Sequence, residues 1–386
     1  MGPGRPVEGF SRLAGGRFLL LSCMNPVKFL AAAWRINVSD CTAWPARSNL
    51  ASIPFQMKLR LVQTLVVTLV LWVAPGCTIN RFVGSPGTFS GPETRFEFAL
   101  IGDVPYDELQ SRVYFPNMIE EINAADLAFV VHDGDIKSGS TPCTDELFER
   151  VHAQFQTIRH PLIYTFGDNE WTDCGRVQTN SFAPMERLQK LRDMFTRGDH
   201  SLGQRTMPLK RQSDDPTFAA YRENVRWTTG GVVFATLNVP GDRNHFGDPE
   251  FAERNAANLA WIRGAFALAR NDEARAVMLI MQANPHFDLA STNALRRGFN
   301  EMLKVIEEET VAFRKPVVLV HGDSHYFRID QPMMGSRSKR RIENFTRVET
   351  FGNPDVHWIQ AIVDSRDPNV FQFERRLVKK NLLNHR

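Results

Sequence analysis

Three aspartates recur along the chain at intervals of about 30 residues, the length of a strand–helix–strand unit. They are Asp103 in Gly102-Asp103-Val104-Pro105-Tyr106, Asp135 in His132-Asp133-Gly134-Asp135, and Asp168 in Gly167-Asp168-Asn169-Glu170. Two more polar clusters follow: Gln282-Ala283-Asn284-Pro285-His286 and His321-Gly322-Asp323-Ser324-His325. Each comes directly after a short apolar run. Carboxylates and imidazoles in this number are the groups that hold metal ions. Unshielded negative charges brought together are costly unless a cation neutralises them. The chemistry they point to is that of a bound cation.

The elements between these clusters must deliver them to one place. Phe96, Phe98 and Leu100 alternate into a first strand, and residues 127–131, 162–165, 276–281 and 316–320 read as buried strands. Helical periodicity covers 107–122, where Pro116 breaks or bends the helix, and also 144–158, 183–195, 252–270 and 298–313. Parallel strands joined by right-handed crossovers set their C-terminal ends side by side, so Asp103, Asp135 and Asp168 converge. Ligands in open α/β sheets sit at such strand ends. Residues 217–227 and 231–239 form a strand pair. The polar stretch 196–216 reads as an insertion near the site mouth, and 347–351, 357–363 and 370–373 as antiparallel strands. The predicted class is α/β with mixed sheets.

The front of the chain is different text. Residues 1–56 carry no sustained period and read as a doubtful leader upstream of the true start. Met57 opens a basic start, an apolar run over 61–73 and small residues leading to Cys77, which together predict a signal peptide with a lipobox-like lipidation site over 57–77. The alternative is a genuine extended N-terminus with a buried helix at 61–73. Residues 78–94 read as a linker and 95–386 as one domain. The expected localisation is exported, periplasmic or as a membrane-anchored bacterial lipoprotein, with the membrane reached through the N-terminal lipid. Export makes Cys143 and Cys174 candidates for a disulfide bracing the site; in a reducing compartment they are two buried thiols. With 46 basic and 43 acidic residues, the charge balance gives no nucleic-acid-binding signature.

The five clusters, in this order, resemble the calcineurin-like metallophosphoesterase superfamily, which includes the purple acid phosphatases. Its pattern runs Asp-x-His, Gly-Asp, Gly-Asn-His-Asp/Glu, a His near a Pro, then Gly-His-x-His. The resemblance covers about residues 96–375. It implies a four-layer α/β/β/α sandwich with two metals above the strand ends and a metal-bound hydroxide that attacks phosphorus. Asp103, Gly134-Asp135, Gly167, Glu170, Gly322 and His325 match the pattern. Pro105 replaces a His, Asp168 replaces the ligand Asn, Asn169 replaces the His that protonates the leaving group, and Asp323 replaces a His. No His precedes Pro285, so Gln282 or Asn284 supplies a weaker ligand. Tyr106 lies in the first motif, whereas the ligand Tyr of purple acid phosphatases lies in the second.

Imidazoles disappear from the motifs, and two of the replacements, Asp168 and Asp323, are carboxylates. The expected metal ligands are Asp103, Asp135, Asp168, Asn284, Asp323 and His325. This set suits one or two hard divalent ions, Mg, Mn or Ca rather than Zn. Asn169, Glu170 and His286 are the catalytic candidates. Arg328 is a candidate to hold a substrate phosphate, against the plainer reading of an exposed strand arginine. His132 and His321 read as packed supports, and Trp171 as core. The expected function is metal-dependent hydrolysis of a phosphomonoester or phosphodiester. The alternative is a degenerate phosphoesterase fold that binds a ligand or partner without turnover.

Overall fold

The computed structural model describes residues 94–382. The expected leader, signal peptide and Cys77 lie outside the described residues, as does nearly all of the linker.

Among the described residues, twelve strands form two sheets. The first contains β1 (Arg95–Ile101), β2 (Val130–His132), β3 (Leu162–Tyr164), β11 (Trp358–Asp364) and β12 (Phe371–Arg376), in the order β12-β11-β1-β2-β3. The second contains β4 (Lys210–Arg211), β5 (Val225–Thr229), β6 (Val232–Thr236), β7 (Ala276–Ile280), β8 (Val317–His321), β9 (Arg328–Asp330) and β10 (Phe345–Glu349). Its order is β4-β5-β6-β7-β8-β10-β9. β1, β2 and β3 are parallel neighbours, so successive site loops leave the same edge. β6, β7 and β8 are likewise parallel.

Period-2 alternation sends one face of each strand inward. Phe98, Leu100, Phe129 and Val131 pack between the sheets against Phe234, Met278, Ile280 and Val318. On the outer face of the first sheet, Ala99, Ile101 and Val130 pack with Phe115, Met118, Phe148 and Leu191 from helices Phe115–Ala124, Asp145–Phe155 and Pro184–Phe195. On the outer face of the second, Val233, Leu279 and Leu319 meet Ile262, Phe266, Leu303 and Ile306 from helices Phe251–Asn271 and Asn300–Phe313. The result is the four-layer α/β/β/α sandwich expected from the motifs. Phe98 has no exposed surface, and truncating such a residue to Ala costs about 3–5 kcal/mol.

Of the two expectations for Pro116, the break is corrected: the helix continues through it, after a π-helical turn at Gln110–Tyr114. Two further local expectations are corrected. The stretch 196–216 does not line the site mouth. Leu202 pairs with Leu162 at the start of β3, whereas the aspartate loop leaves from the other end of that strand. The first tail strand, β10, runs parallel to β8 and pairs antiparallel with β9, a short strand that has too few residues to show a period. No described helix is long and apolar enough to cross a membrane.

Candidate functional site

The loops after β1, β2 and β8 turn sharply enough to put Asp103, Asp135, Asp323 and His325 in left-handed backbone, at φ 52°, 59°, 78° and 58°. Such conformations cost a non-glycine residue on the order of 1 kcal/mol or more, and they cluster where side chains are forced to converge. The loops are then tied to one another. The Asp103 amide donates to the Gly134 carbonyl at 2.9 Å, and the Asp323 amide donates to both Asp103 carboxylate oxygens at 3.1 Å. Gly322 is required for this approach, since a Cβ there would lie 2.1 Å from Asp103 Oδ2. Gly167 is required in the same way beside Asp135 Oδ1, at 2.0 Å.

Glu170 holds this arrangement together. Its carboxylate accepts from the amides of Gly167 (2.7 Å), Asp135 (3.1 Å) and Ile136 (3.3 Å) and from the Tyr164 hydroxyl (2.7 Å). With its oxygens taken by these donors, Glu170 holds the second and third site loops in shape. A disulfide joins Cys143 to Cys174, and both sulfurs pack on the Asn169 carbonyl at 3.6 and 3.7 Å. It links the segments that follow the second and third motifs.

Asp135 is ringed by neutral donors. Its Oδ2 accepts from the Tyr106 hydroxyl (2.9 Å), Asn169 Nδ2 (2.8 Å) and Gln282 Nε2 (3.1 Å), and its Oδ1 accepts from the Asn169 amide (3.1 Å). The amide orientations are set by unambiguous partners: Asn169 Nδ2 also donates to the Lys137 carbonyl, and Gln282 Oε1 accepts from the Gly241 amide. Tyr106 is the centre of this ring. Its oxygen also lies 3.0 Å from His325 Nε2, 3.0 Å from Asn169 Nδ2 and 3.5 Å from Asp103 Oδ1. His325 Nδ1 contacts the Asn353 carbonyl at 2.8 Å, so Nδ1 carries the proton and the neutral ring turns a bare Nε2 toward the site. Burial lowers the His325 pKa and favours that neutral form.

The other carboxylates have less company. Asp168 is pushed well above the usual carboxylate range by burial and then by Asp323, Asp173 and Glu170, and its Oδ1 has no hydrogen-bond partner. Asp323 is raised to about 6 by burial, partly opposed by the Asn284 amide at 2.8 Å. Asp103 is raised by burial and then by Asp133 and Asp323; Asp135 is raised by burial and then by Asp168 and Glu170. An orphaned buried carboxylate oxygen among repelling carboxylates fits a hard cation on the Asp168–Asp323 side. The Asp103–His325 side is filled by the Tyr106 hydroxyl.

Of the sequence candidates, Asp103, Asp135, Asp168, Asn169, Asp323 and His325 come together. Asn284 does not present its side chain: Nδ2 turns to Ser324 Oγ, and Oδ1 accepts from the His286 amide. Gln282 takes the place beside Asp135 instead. His286 is half-buried, its ring packs near Phe299 and its side chain makes no hydrogen bond, so it is not held against the carboxylates. Arg328 is not a free phosphate clamp, because its Nε is paired at 2.7 Å with the fully buried Glu349 side chain. His132 and His321 are fully buried, as expected of packed supports.

Tyr106, Asp133 and Lys137 were missed as site residues. Asp133 is buried beside Thr350, which donates to it at 3.0 Å, and Lys137 is a buried ammonium whose charge acts on Glu170 and Asp135. The signal for Tyr106 was its position directly after Pro105, where the motif has lost its imidazole.

Among the described residues, the one group of three metal-type side chains with ligand atoms within 4.8 Å of one another is His245, Asp248 and Glu250. Arg254 already pairs with both Glu250 oxygens at 2.8 Å, and its guanidinium lies 5.4 Å from the Trp171 ring. This is an ion-pair network that supports the buried Trp171.

The layers form an α/β/β/α sandwich whose strand-end loops gather the site residues. No family model matches the sequence, and no curated protein matches it. Among solved structures, the chain is similar to GAP50, the anchor in the inner membrane complex of Plasmodium, at 11% identity and TM-score 0.43, covering 74% of this chain and 89% of that one. It is similar to PhoD at 12% identity and TM-score 0.47, covering 70% of this chain and 64% of that one. A purple acid phosphatase from yellow lupin (Lupinus luteus) seeds matches at 12% identity and TM-score 0.43, covering 76% of this chain and 56% of that one. The chain thus spans less than two thirds of the length of the latter two proteins.

Proposed function

We propose that the chain is a metal-dependent phosphoesterase, hydrolysing a phosphomonoester or phosphodiester at a carboxylate-rich, imidazole-poor site. The observation that carries this reading is the buried, mutually repelling set Asp103, Asp135, Asp168 and Asp323, with Asp168 Oδ1 left unpartnered. Effective desolvation of a charge costs several kcal/mol, and a bound divalent cation is the usual compensation. Asp168 and Asp323 would hold the ion, with Asp135 beside them. Such an ion supplies Lewis-acid polarisation of phosphoryl oxygens and activation of water. Asn169 and Tyr106 hold hydrogen-bond donors at the rim of Asp135, and neutral His325 presents a proton acceptor. Asn169 cannot act as a general acid in place of the lost imidazole, so rates with poor leaving groups should be lower by ~10²–10⁴.

Export with an N-terminal lipid at Cys77 is part of this proposal. The Cys143–Cys174 disulfide supports an oxidising compartment.

A second reading, binding without turnover, is favoured by one observation: neutral donors surround the Asp135 carboxylate. Assays of aryl phosphates and bis-aryl phosphodiesters with Mg, Mn and Ca separate the two. Metal-dependent turnover that is lost in Asp135→Asn supports the enzyme. Absence of turnover under every condition supports the binding protein.

A further inference from the structure

Tyr106 lies at the one point of the site where three acceptors face a single hydroxyl. Asp135 Oδ2 is on one side at 2.9 Å; His325 Nε2 at 3.0 Å and Asp103 Oδ1 at 3.5 Å are near it too. Asp103 and His325 are themselves close, at 3.6 Å. The phenol oxygen sits between Asp135 and the Asp103–His325 pair, within 3.5 Å of all three. The position of the ring is set from both flanks. The Tyr106 amide donates to Gln110 Oε1 at 2.8 Å, and the ring meets the His325 imidazole edge-on at 5.0 Å.

We propose that the Tyr106 hydroxyl takes the place of one metal ion, so that the centre holds a single cation, on the Asp168–Asp323 side. This rests on the metal-dependent reading above and deepens it. Within it, the hydroxyl proton and the Asn169 amide together supply the positive charge density that a second ion would have brought to Asp135. Asp168 Oδ1, unlike either Asp135 oxygen, has no hydrogen-bond donor of its own.

The test is metal stoichiometry, measured by elemental analysis of the full chain after equilibration with excess Mn²⁺ and dialysis. Wild type is compared with Tyr106→Phe and Tyr106→Ala; Phe keeps the ring packing should Ala fail to fold. The expected result is one equivalent of Mn²⁺ in wild type and two in the variants. Two equivalents in wild type would overturn the inference while leaving the metal-dependent reading intact. One equivalent in wild type and variants alike would also overturn it, because the hydroxyl would then exclude nothing. Loading wild type with Fe³⁺ adds a second readout. A visible phenolate-to-iron band that Tyr106→Phe abolishes would make Tyr106 a ligand and sink the substitution. No metal in any of the three proteins would remove the metal-dependent reading, and this inference with it.

Discussion

Glu170 accepts a hydrogen bond from the backbone amide of Asp135 at 3.1 Å, so the third motif of the chain holds the second in shape. The same oxygen accepts from the Gly167 amide and the Tyr164 hydroxyl, both at 2.7 Å. Replacing Glu170 with Gln would turn an amide group toward backbone amides and leave buried donors unpaired. The expected cost is about 2–4 kcal/mol, since bonds to charged groups contribute ~1.5–3 and orphaned buried groups cost ~1–3. Urea denaturation of Glu170→Gln measures it. A variant with wild-type stability and abolished turnover would instead support the catalytic assignment.

The carboxylates set a pH dependence that metal should reverse. Their folded-state pKa values lie above the unfolded ones, with Asp323 at about 6 against 3.8. The sign follows: their contribution to stability is fully present below pH 3.8 and is lost as pH rises through the raised values. His132 and His321 work oppositely. Burial lowers them to about 4 and about 3, so stability falls as pH drops below 6.5 toward those values. The histidines are the same with and without metal, so the difference in Tm isolates the carboxylates. Stabilisation by Mn²⁺ should be small near pH 4 and grow through pH 6 to 7. A Tm increment that does not change with pH would contradict this.

The Cys143–Cys174 bridge closes a loop with a sequence separation of 31, for which chain entropy predicts about 3.7 kcal/mol of stabilisation. Cys143→Ser with Cys174→Ser should lower the denaturation midpoint accordingly. Because the sulfurs pack on the Asn169 carbonyl, the pair should also weaken Mn²⁺ affinity in titration calorimetry. Unchanged affinity would confine the bridge to global stability.

Cys77 should decide where the protein resides. In a bacterial host that processes lipoproteins, wild type should fractionate with membranes and Cys77→Ser should move to the soluble periplasmic fraction. Equal partitioning of both would rule out lipid at this residue.

The strand-end aspartates were legible in the sequence because a buried parallel strand leaves a continuous apolar run with an abrupt polar stop. Asp103, Asp135 and Asp168 all follow such runs, and their even spacing foretold that β1, β2 and β3 lie side by side. Tyr106 was not legible as the centre of the site. Its role depends on where a turn points the ring, and on a residue, His325, that lies more than 200 positions away. Gln282 and Asn284 were indistinguishable for a similar reason: the choice is made by the Gly241 amide and Ser324, which reach them only through the second sheet. β9 and the parallel direction of β10 were likewise matters of long-range pairing. Glu170 matched its motif, yet only the loop amides converging on it show that it acts as a bracket.

The left-handed backbone at Asp103, Asp135, Asp323 and His325 has a consequence for how this site could be copied or transplanted. Each of these residues, alone in a short peptide, would relax to an ordinary extended or helical conformation. Excised motifs should therefore have no affinity of their own for a cation, however faithful their sequence. The binding geometry is a collective property that exists only while both sheets are closed on each other.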